Sequence, residues 1–232
     1  MLRQLFDQDT WTFTYLVADE DSRKAVLIDP VKGQVDRDLR LVEELGLELV
    51  YVLDTHVHAD HVTGAGTIAA RTGARSVQGS AGAECANIHV EHGDVLEAGG
   101  LRVEVIGTPG HTDDSISFRI GDMVFTGDAL FVRGCGRTDF QNGNAGQLYD
   151  SITRELFTLP DHVVVYPGHD YRGMSMSTIG EEKAHNPRLA GKTRDEFIQI
   201  MDNLNLASPK YIDVAVPANR ACGLDAPSGA LH

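Results

Sequence analysis

The stretch Thr55-His56-Val57-His58-Ala59-Asp60-His61 directly follows the apolar run 49–53, which predicts a short buried strand. Three of the ten histidines of the chain lie in this stretch, together with an aspartate. Imidazole and carboxylate groups are common protein ligands of first-row transition metals. On extended backbone His56 and His58 should project to the same side, because side chains alternate along a strand. We therefore interpret the stretch as part of a metal centre rather than as a solvated polar loop.

Three later segments each place an acid or an imidazole beside a glycine, where a predicted strand ends. The segments are Thr108-Pro109-Gly110-His111-Thr112, Phe125-Thr126-Gly127-Asp128 and Tyr166-Pro167-Gly168-His169-Asp170. Glycine lets the backbone approach a site closely. Taken singly, His111 or Asp128 would more often be a turn residue than a ligand. Together with the histidine-rich stretch, the three segments predict a metal centre built from several strand ends.

Short β-rich runs alternate with helical patterns along the chain, and we find no internal repeat or linker. Gly99-Gly100 and Gly121-Asp122 each separate two β-rich runs and predict hairpins, which disfavour an all-parallel fold. Apolar spacing predicts a helix over residues 34–45. We expect one domain over residues 1–224, with two sheets whose outer faces carry helices, and a flexible tail over residues 225–232.

The net charge disfavours some classes of binding partner, and the cysteine content indicates the cellular compartment. Twenty Lys and Arg against 34 Asp and Glu give a net charge of −14, which disfavours nucleic acid and anionic membranes as partners. The chain has no apolar run long enough for a membrane span, and its N-terminus lacks the apolar core of a signal peptide. Cys85, Cys135 and Cys222 are too few and too scattered for a disulfide framework. We expect a cytoplasmic protein in a reducing compartment.

The ordered motifs His-x-His-x-Asp-His, Gly-His-Thr, Thr-Gly-Asp and Gly-His, from Thr55 to His169, resemble the metallo-β-lactamase superfamily. The resemblance implies an α/β fold, a metallo-β-lactamase-like αβ/βα four-layer sandwich with the metal site at one edge. The superfamily includes zinc thioester hydrolases, β-lactamases, nucleases and iron enzymes. The fold alone therefore does not define the reaction.

Further segments make the resemblance more specific. They are Arg133-Gly134-Cys135-Gly136-Arg137-Thr138-Asp139-Phe140-Gln141, Asn186-Pro187-Arg188-Leu189 and Ala215-Val216-Pro217-Ala218-Asn219. These segments are similar to the glutathione-dependent persulfide dioxygenases, and the similarity covers roughly residues 1–224. It implies an enzyme that oxidises glutathione persulfide with O2 and water to sulfite and glutathione. Neither a mitochondrial leader nor a rhodanese module is expected.

The same resemblance implies a role for each motif residue. In that family one Fe²⁺ per chain is held by two histidines and one aspartate, which by position are His56, His111 and Asp128. The remaining motif residues would line the site without binding a second metal, orienting ligands and moving protons. They are His58, Asp60, His61 and His169.

The residue types themselves fit two metal chemistries. Two imidazoles and one carboxylate on one face of an octahedron leave three adjacent positions, where a thiol and dioxygen can meet on one iron. The full set of motif acids and imidazoles fits a binuclear zinc site, whose hydroxide attacks a carbonyl. The first alternative function is therefore a glyoxalase II-like glutathione thioester hydrolase, although Val62-Thr63-Gly64 stands where those hydrolases usually carry Gly-Gly. The second is a non-catalytic metal module, whose site would be closed by four ligands.

Glutathione carries two carboxylates, so a chain of net charge −14 needs local cations to bind it. Arg137, Arg133 and Arg172 lie close in sequence to the motif residues, and arginine binds carboxylates through its bidentate fork. Tyr171 could donate a phenolic hydrogen bond. The alternative is that these arginines pair with local acids. Cys135 fits either a small buried filler or a redox-sensitive thiol. The oligomeric state is left open, with a homodimer as one option.

Overall fold

The structure is a computed structural model that describes residues 1–224, and the tail expected over residues 225–232 lies outside the described residues. The described residues group into two compact units. The first comprises Met1–Val90, Leu96–Val103 and residues 208–224, and the second comprises Glu91–Val95 and Glu104–Ala207. The single domain expected over residues 1–224 stays a prediction.

The first sheet has six strands in the order β1-β2-β3-β4-β5-β6. They are β1 (Leu2–Asp7), β2 (Thr12–Ala18), β3 (Lys24–Ile28), β4 (Glu48–Leu53), β5 (Arg75–Gly79) and β6 (Ile88–Val90). The pairs β1–β2 and β2–β3 are antiparallel, whereas β3 to β6 run parallel. Because parallel strands share one carboxyl edge, Asp29 after β3 and the histidine-rich stretch after β4 leave the sheet at the same edge.

The second sheet also has six strands, in the order β12-β11-β10-β9-β8-β7. They are β7 (Val95–Ala98), β8 (Leu101–Gly107), β9 (Ile116–Ile120), β10 (Met123–Gly127), β11 (Val164–Pro167) and β12 (Ser177–Thr178). Strands β8, β9 and β10 pair antiparallel, and β10 pairs parallel with β11. Asp128 and His169, which follow β10 and β11, therefore emerge at one edge of this sheet.

Helices contribute to the apolar core of each unit. They are α1 (Val35–Glu44), α2 (Ala65–Thr72), α3 (Ala145–Ser151), α4 (Ile179–His185), α5 (Arg194–Asp202) and α6 (Ile212–Arg220), with a π-helical turn over Ile152–Leu156 after α3. In the first unit Val42 and Ile68 belong to the same buried cluster as strand residues, and in the second Leu148 and Phe197 do so. The helix predicted over residues 34–45 is confirmed as α1.

The two predicted glycine turns are confirmed between β7 and β8 and between β9 and β10. Gly99 has a φ of +62° and Gly121 a φ of +59°, a left-handed conformation that glycine adopts without steric cost. No helix within residues 1–224 is long and apolar enough to cross a bilayer.

The cysteines differ from the sequence expectation. Cys85 and Cys222, both in the first unit, form a disulfide across a sequence separation of 137 residues, whereas Cys135 is a free, buried thiol. The number and scatter of the cysteines predicted no disulfide framework and gave no indication of this one pair. Spacing along the chain could not show the pairing, because a disulfide depends on the positions of two Cα atoms in the folded chain.

One buried carboxyl on α1 leads to a prediction about stability. Asp38 is 1% exposed, and its Oδ2 has no hydrogen-bond partner among residues 1–224. Burial raises the pKa of Asp38 from 3.8 to about 6, although the neighbouring Arg37 opposes the shift. The folded state then binds this proton more tightly than the unfolded state, so stability is lost as the pH rises from about 4 to about 6.

We expect Asp38→Asn to remove that loss. Relative to wild type, the free energy of unfolding of the variant should increase by on the order of 2 kcal/mol between pH 4 and pH 7. Urea unfolding of both proteins at a series of pH values measures the difference. A difference that does not change with pH would contradict the prediction.

Candidate metal centre

The first unit concentrates its imidazoles in one buried loop, residues 54–63, which follows β4 and which we call the histidine loop. The rings of His56 and His58 have centroids 4.2 Å apart, and those of His58 and His61 are also 4.2 Å apart. All three side chains are buried. The prediction that His56 and His58 project to the same side is confirmed.

Asp29 holds the start of this loop. Its Oδ1 accepts hydrogen bonds from the Thr55 backbone nitrogen at 2.7 Å and lies 3.2 Å from His58 Nε2. Its Oδ2 accepts from Thr55 Oγ1 at 2.9 Å. Since Thr55 Oγ1 gives its one hydrogen to Asp29, it accepts from His56 Nδ1, which lies 3.0 Å away. That bond leaves the lone pair of His56 on Nε2, the nitrogen that can coordinate a metal.

Carboxylates also shape the electrostatics around His58. Burial disfavours its charged form, but Asp29, Asp60 and Asp54 together outweigh burial and raise the pKa of His58 to about 9. Burial is the largest influence on Asp54 and raises its pKa to about 6. Two groups in this loop region offer metal-ligand atoms within 4.8 Å of one another. They are His58, Asp60 and His61, and Asp29, Asp54 and His58.

The other half of the loop is tied to β2. His61 Nδ1 lies 2.8 Å from Asp60 Oδ2, and Thr12 Oγ1 donates to the same carboxylate oxygen at 3.1 Å. The Asp60 side chain is 27% exposed, whereas that of His61 is fully buried. This pair therefore connects a buried imidazole with solvent.

The second unit brings together His111, Asp128 and His169, as predicted for this part of the motif. His111 Nδ1 donates to the carbonyl oxygen of Arg137 at 2.6 Å, so its Nε2 is left to coordinate, 3.5 Å from Asp128 Oδ2. His169 Nδ1 donates to Asp128 Oδ1 at 2.7 Å. Asp128 is thus oriented on one oxygen by His169 and directs the other towards His111.

Two glycines make this packing sterically feasible. A Cβ atom on Gly168 would lie 2.7 Å from Asp128 Oδ1, and one on Gly136 would lie 2.7 Å from His111 Nδ1. Any larger residue would displace the acid or the imidazole. The close approach assigned to glycine at strand ends is therefore a steric requirement at Gly168, and Gly136 has the same role in the loop after β10.

The donor sets of both units fit a first-row transition metal. His56 and His111 each give the Nδ1 hydrogen to an oxygen, which fixes the ring and leaves Nε2 unprotonated. Asp128 adds a buried carboxylate. Neutral imidazoles and a carboxylate, each oriented by a further hydrogen bond, are the usual composition of such sites in proteins.

The candidate substrate residues have mixed surroundings. Arg137 donates to both carboxylate oxygens of Asp139, at 2.6 and 2.7 Å, and to the carbonyl of Ala207 at 2.6 Å. Arg133 pairs with Glu181 and Glu182. The alternative that these arginines pair with local acids is therefore confirmed for Arg137 and Arg133.

Tyr171 and Arg172 are exposed immediately after His169. The ring of Tyr171 stacks on that of His169, with centroids 5.7 Å apart and planes 5° apart. Phe131 contacts both rings edge-on, at centroid distances of 6.0 and 6.4 Å. An aromatic surface therefore lies over one face of the imidazole.

Sequence reasoning missed residues that support the histidine loop from elsewhere in the chain. Asp29 could have been suspected from its position at a strand end, before Pro30. Asp54 gave no such signal, and Asn219 stood out only as part of the segment 215–219 that carries the family resemblance. Asn219 lies on α6, is 1% exposed, and bonds to the loop through its side-chain amide. These partners become recognisable only when distant segments are seen in contact.

The chain matches a known protein family. The family model described as the metallo-beta-lactamase superfamily matches residues 12–82 and 87–169. The chain belongs to this superfamily, and the predicted metallo-β-lactamase fold, mixed α/β with two sheets and helices, is confirmed. Metal binding by histidine and aspartate side chains is the common property of the superfamily.

The chain is also similar to characterised members over almost its whole length. It is 48% identical to "Persulfide dioxygenase ETHE1, mitochondrial" of Mus musculus, over 98% of this chain and 90% of the mouse protein. The human protein of the same name is 48% identical over 98% of this chain and 91% of its own length. The crystal structure of ETHE1 from Myxococcus xanthus is 64% identical, with a TM-score of 0.95, and covers 96% of this chain and 99% of that chain. Within the superfamily, the chain belongs to the ETHE1 persulfide dioxygenase family.

The glycine contact at Asp128 leads to a prediction. In Gly168→Ala the new Cβ would displace the carboxylate, since it would lie 2.7 Å from Oδ1 and 3.0 Å from the carbonyl carbon of Gly127. We expect metal affinity to fall roughly 10- to 100-fold, the usual effect of disturbing the support of a ligand. Metal content after dialysis against a chelator, measured by mass spectrometry, gives the result.

Gly33→Ala is the matched control, because a Cβ there would meet nothing within 4 Å. It should retain metal as the wild type does. Equal retention by Gly168→Ala and wild type would show that Asp128 does not need this close approach.

Proposed function

We propose that the protein is an iron-dependent persulfide dioxygenase that oxidises glutathione persulfide. The proposed reaction is GSSH + O2 + H2O → GSH + SO3²⁻ + 2H⁺. The observation that carries it is the similarity to persulfide dioxygenases over nearly the full chain, at 48% identity. The fold and the histidine and aspartate clusters supply the type of metal site that such a reaction needs.

The proposed ligands of one Fe²⁺ per chain are His56, His111 and Asp128. Their support lies within each unit: the two histidines have Nδ1 committed to an oxygen, and Asp128 is oriented by His169. Two histidines and one carboxylate are the ligand type of non-haem ferrous oxygenases, so this set would hold iron and leave room for substrates. Ferrous iron bound there would supply the redox chemistry that joins O2 to the terminal sulfur.

The other motif residues would then handle protons and orientation. His58 holds a proton on Nε2 against the Asp29 carboxylate, 3.2 Å away, and so provides a positive charge within the histidine loop. His61 and Asp60 form a hydrogen-bonded pair that reaches solvent, which suits the release of the protons formed with sulfite. His169 holds Asp128 in place through Nδ1.

The four candidate substrate residues all lie in the second unit. Tyr171 and Arg172 are exposed beside His169 and can contact the tripeptide directly. Arg137 and Arg133 already pair with acids of this chain, and each would bind a glutathione carboxylate in addition. Bidentate contacts of this kind suit the two carboxylates of glutathione.

The cellular setting is also part of the proposal. We infer a cytoplasmic enzyme, with a homodimer as one option for its assembly. We also infer no nucleic acid or membrane partner, because a net charge of −14 repels anionic surfaces. The mammalian relatives carry "mitochondrial" in their names. Fractionation of cells and light scattering of the purified protein test the compartment and the assembly.

Oxygen uptake tests the reaction itself. We expect protein purified without oxygen to contain about one iron per chain and to consume O2 when glutathione persulfide is added, with sulfite as the product. A Clark electrode, sulfite determination and elemental analysis provide the measurements. About two zincs per chain with hydrolysis of a glutathione thioester would replace the proposal by the hydrolase alternative.

Two variants test the ligand set. Asp128→Ala should lose iron and activity together, because it removes a ligand. His169→Ala should keep most of its iron, with affinity lowered roughly tenfold, because it removes only the support of that ligand. Iron content and oxygen uptake are measured in parallel on both. Complete metal loss in His169→Ala would point to a binuclear site.

A further inference from the structure

A single amide side chain fastens the histidine loop to the C-terminal helix α6. Asn219 Nδ2 donates to the carbonyl oxygens of His58 and His61, both at 2.8 Å. Its Oδ1 accepts from the Thr63 backbone nitrogen at 2.8 Å. The side chain is buried and bonds the loop at three points, so it fixes the backbone that carries two motif histidines.

The segment that follows Asn219 is in turn fastened by the disulfide. Cys222, three positions further on, is bonded to Cys85 in the loop between β5 and β6. Its carbonyl accepts from the Gly66 backbone nitrogen at 3.2 Å, and Lys32 Nζ donates to the carbonyl of Gly223. The disulfide is the covalent link among these contacts. It restrains the part of the chain that positions Asn219.

The two sulfurs differ in access. Cys85 is exposed, whereas Cys222 is 2% exposed. A cleft of about 570 Å³ lies beside the disulfide. Its lining includes both cysteines, the small residues Gly66 and Ala69, and the polar residues Arg75 and Asn87. A small thiol can therefore reach the Cys85 sulfur, and the Arg75 guanidinium can attract a carboxylate that the thiol carries.

We propose that the Cys85–Cys222 disulfide is a thiol-exchange site, opened at Cys85 by a small thiol that bears a carboxylate, and that its opening loosens the hold of Asn219 on the histidine loop. The site lies outside the metal cluster. The proposal deepens and rests on the proposed function, since glutathione, the product of that reaction, belongs to this class of thiol.

The exchange takes place in two steps. A thiolate RS⁻ attacks Sγ of Cys85, the Cys85–SR bond forms, the bond to Cys222 breaks, and the Cys222 thiolate takes a proton from water. A second RS⁻ attacks the sulfur of R, which releases R–S–S–R and the Cys85 thiolate. In total, two RSH molecules are oxidised to R–S–S–R by two electrons, and the protein disulfide is reduced to two thiols.

Opening of the disulfide affects metal binding through the backbone of the histidine loop. Without the disulfide, the turn after α6 is held only by non-covalent contacts, and the hydrogen bonds of Asn219 become easier to break. The histidine loop, which carries the proposed ligand His56, then loses its anchor at the carbonyls of His58 and His61. We expect iron to dissociate roughly tenfold faster, at the lower end of the range for lost outer support of metal ligands.

The experiment uses the full-length iron-loaded protein without oxygen. It is incubated with reduced glutathione, desalted, and examined for titratable thiols, for the rate of iron loss to a chelator, and for hydrogen exchange of residues 56–64. We expect two new thiols, iron loss roughly tenfold faster, and faster exchange in the histidine loop. Two new thiols without a change in iron loss and hydrogen exchange would overturn the proposal, as would a disulfide that glutathione leaves intact.

Cys85→Ser supplies the matched control. It should lose iron at the rate of the opened wild type and should not respond to glutathione, because it has no disulfide to open. If glutathione accelerates iron loss equally in this variant, the thiol acts on the metal and the proposal is wrong. Wild-type protein reduced with dithiothreitol and alkylated replaces this variant should it fail to fold.

Two more variants test the route and the chemical class of the thiol. Asn219→Ala should lose iron as the opened wild type does, and reduction should add little to its effect, since both changes act on the same contact. Mercaptoethanol, a neutral thiol, should open the wild type more slowly than glutathione does. Arg75→Ala should slow the reaction with glutathione and leave that with mercaptoethanol unchanged. Additive effects of Asn219→Ala and reduction would exclude Asn219 as the link.

The measurements separate this proposal from the proposed function. Iron loss and hydrogen exchange need no turnover, so they report on the thiol-exchange site even in a protein that consumes no O2. An inactive protein that still responds to reduction at Cys85 would remove the dioxygenase proposal and keep this one. An active protein whose histidine loop does not respond to reduction would keep the dioxygenase proposal and remove the thiol-exchange site.

Discussion

The carboxylate of Asp29 is the contact on which the histidine loop depends. It joins the ends of two parallel strands, since Asp29 follows β3 and its partners Thr55 and His58 follow β4. A buried imidazole cannot stay charged without such a partner, because burial alone favours the neutral ring. Asp29, together with Asp60 and Asp54, outweighs burial and raises the pKa of His58 to about 9. Through Thr55, Asp29 also selects the Nδ1 hydrogen of His56.

Asp128 has the corresponding position in the second unit. It follows β10 and is oriented by His169, which follows the parallel strand β11. In both units, therefore, an acid at the end of one strand is matched with an imidazole at the end of its parallel neighbour. In the second unit a glycine next to His169 allows the approach, because a single Cβ on Gly168 would occupy the space of an Asp128 oxygen.

The contacts that hold the histidine loop differ in how easily solvent and thiols can break them. The hydrogen bonds that Asp29 accepts and those that Asn219 makes are buried and shielded from water, whereas the disulfide that restrains the segment after Asn219 includes the exposed residue Cys85. The proposed reaction releases a thiol, glutathione, which could reach this disulfide. The covalent link is thus the support most open to change by the chemistry around it.

The local pattern was sufficient to predict the motif residues, the α1 helix and the two glycine turns, because alternation, helical spacing and glycine conformation act over a few residues. The resemblance added the superfamily and the family, which the comparisons confirmed. Local signals did not reveal the Cys85–Cys222 disulfide, the Asn219 contacts or the ion pairs of Arg133 and Arg137.

Those features join segments far apart in the chain, and their geometry depends on packing that no short window contains. The sequence by itself therefore determined which ligand types the chain offers and at which strand ends. The tertiary structure decided which nitrogen each ring leaves for a metal and which groups hold the ring in place, because hydrogen-bond partners are set by distance in space.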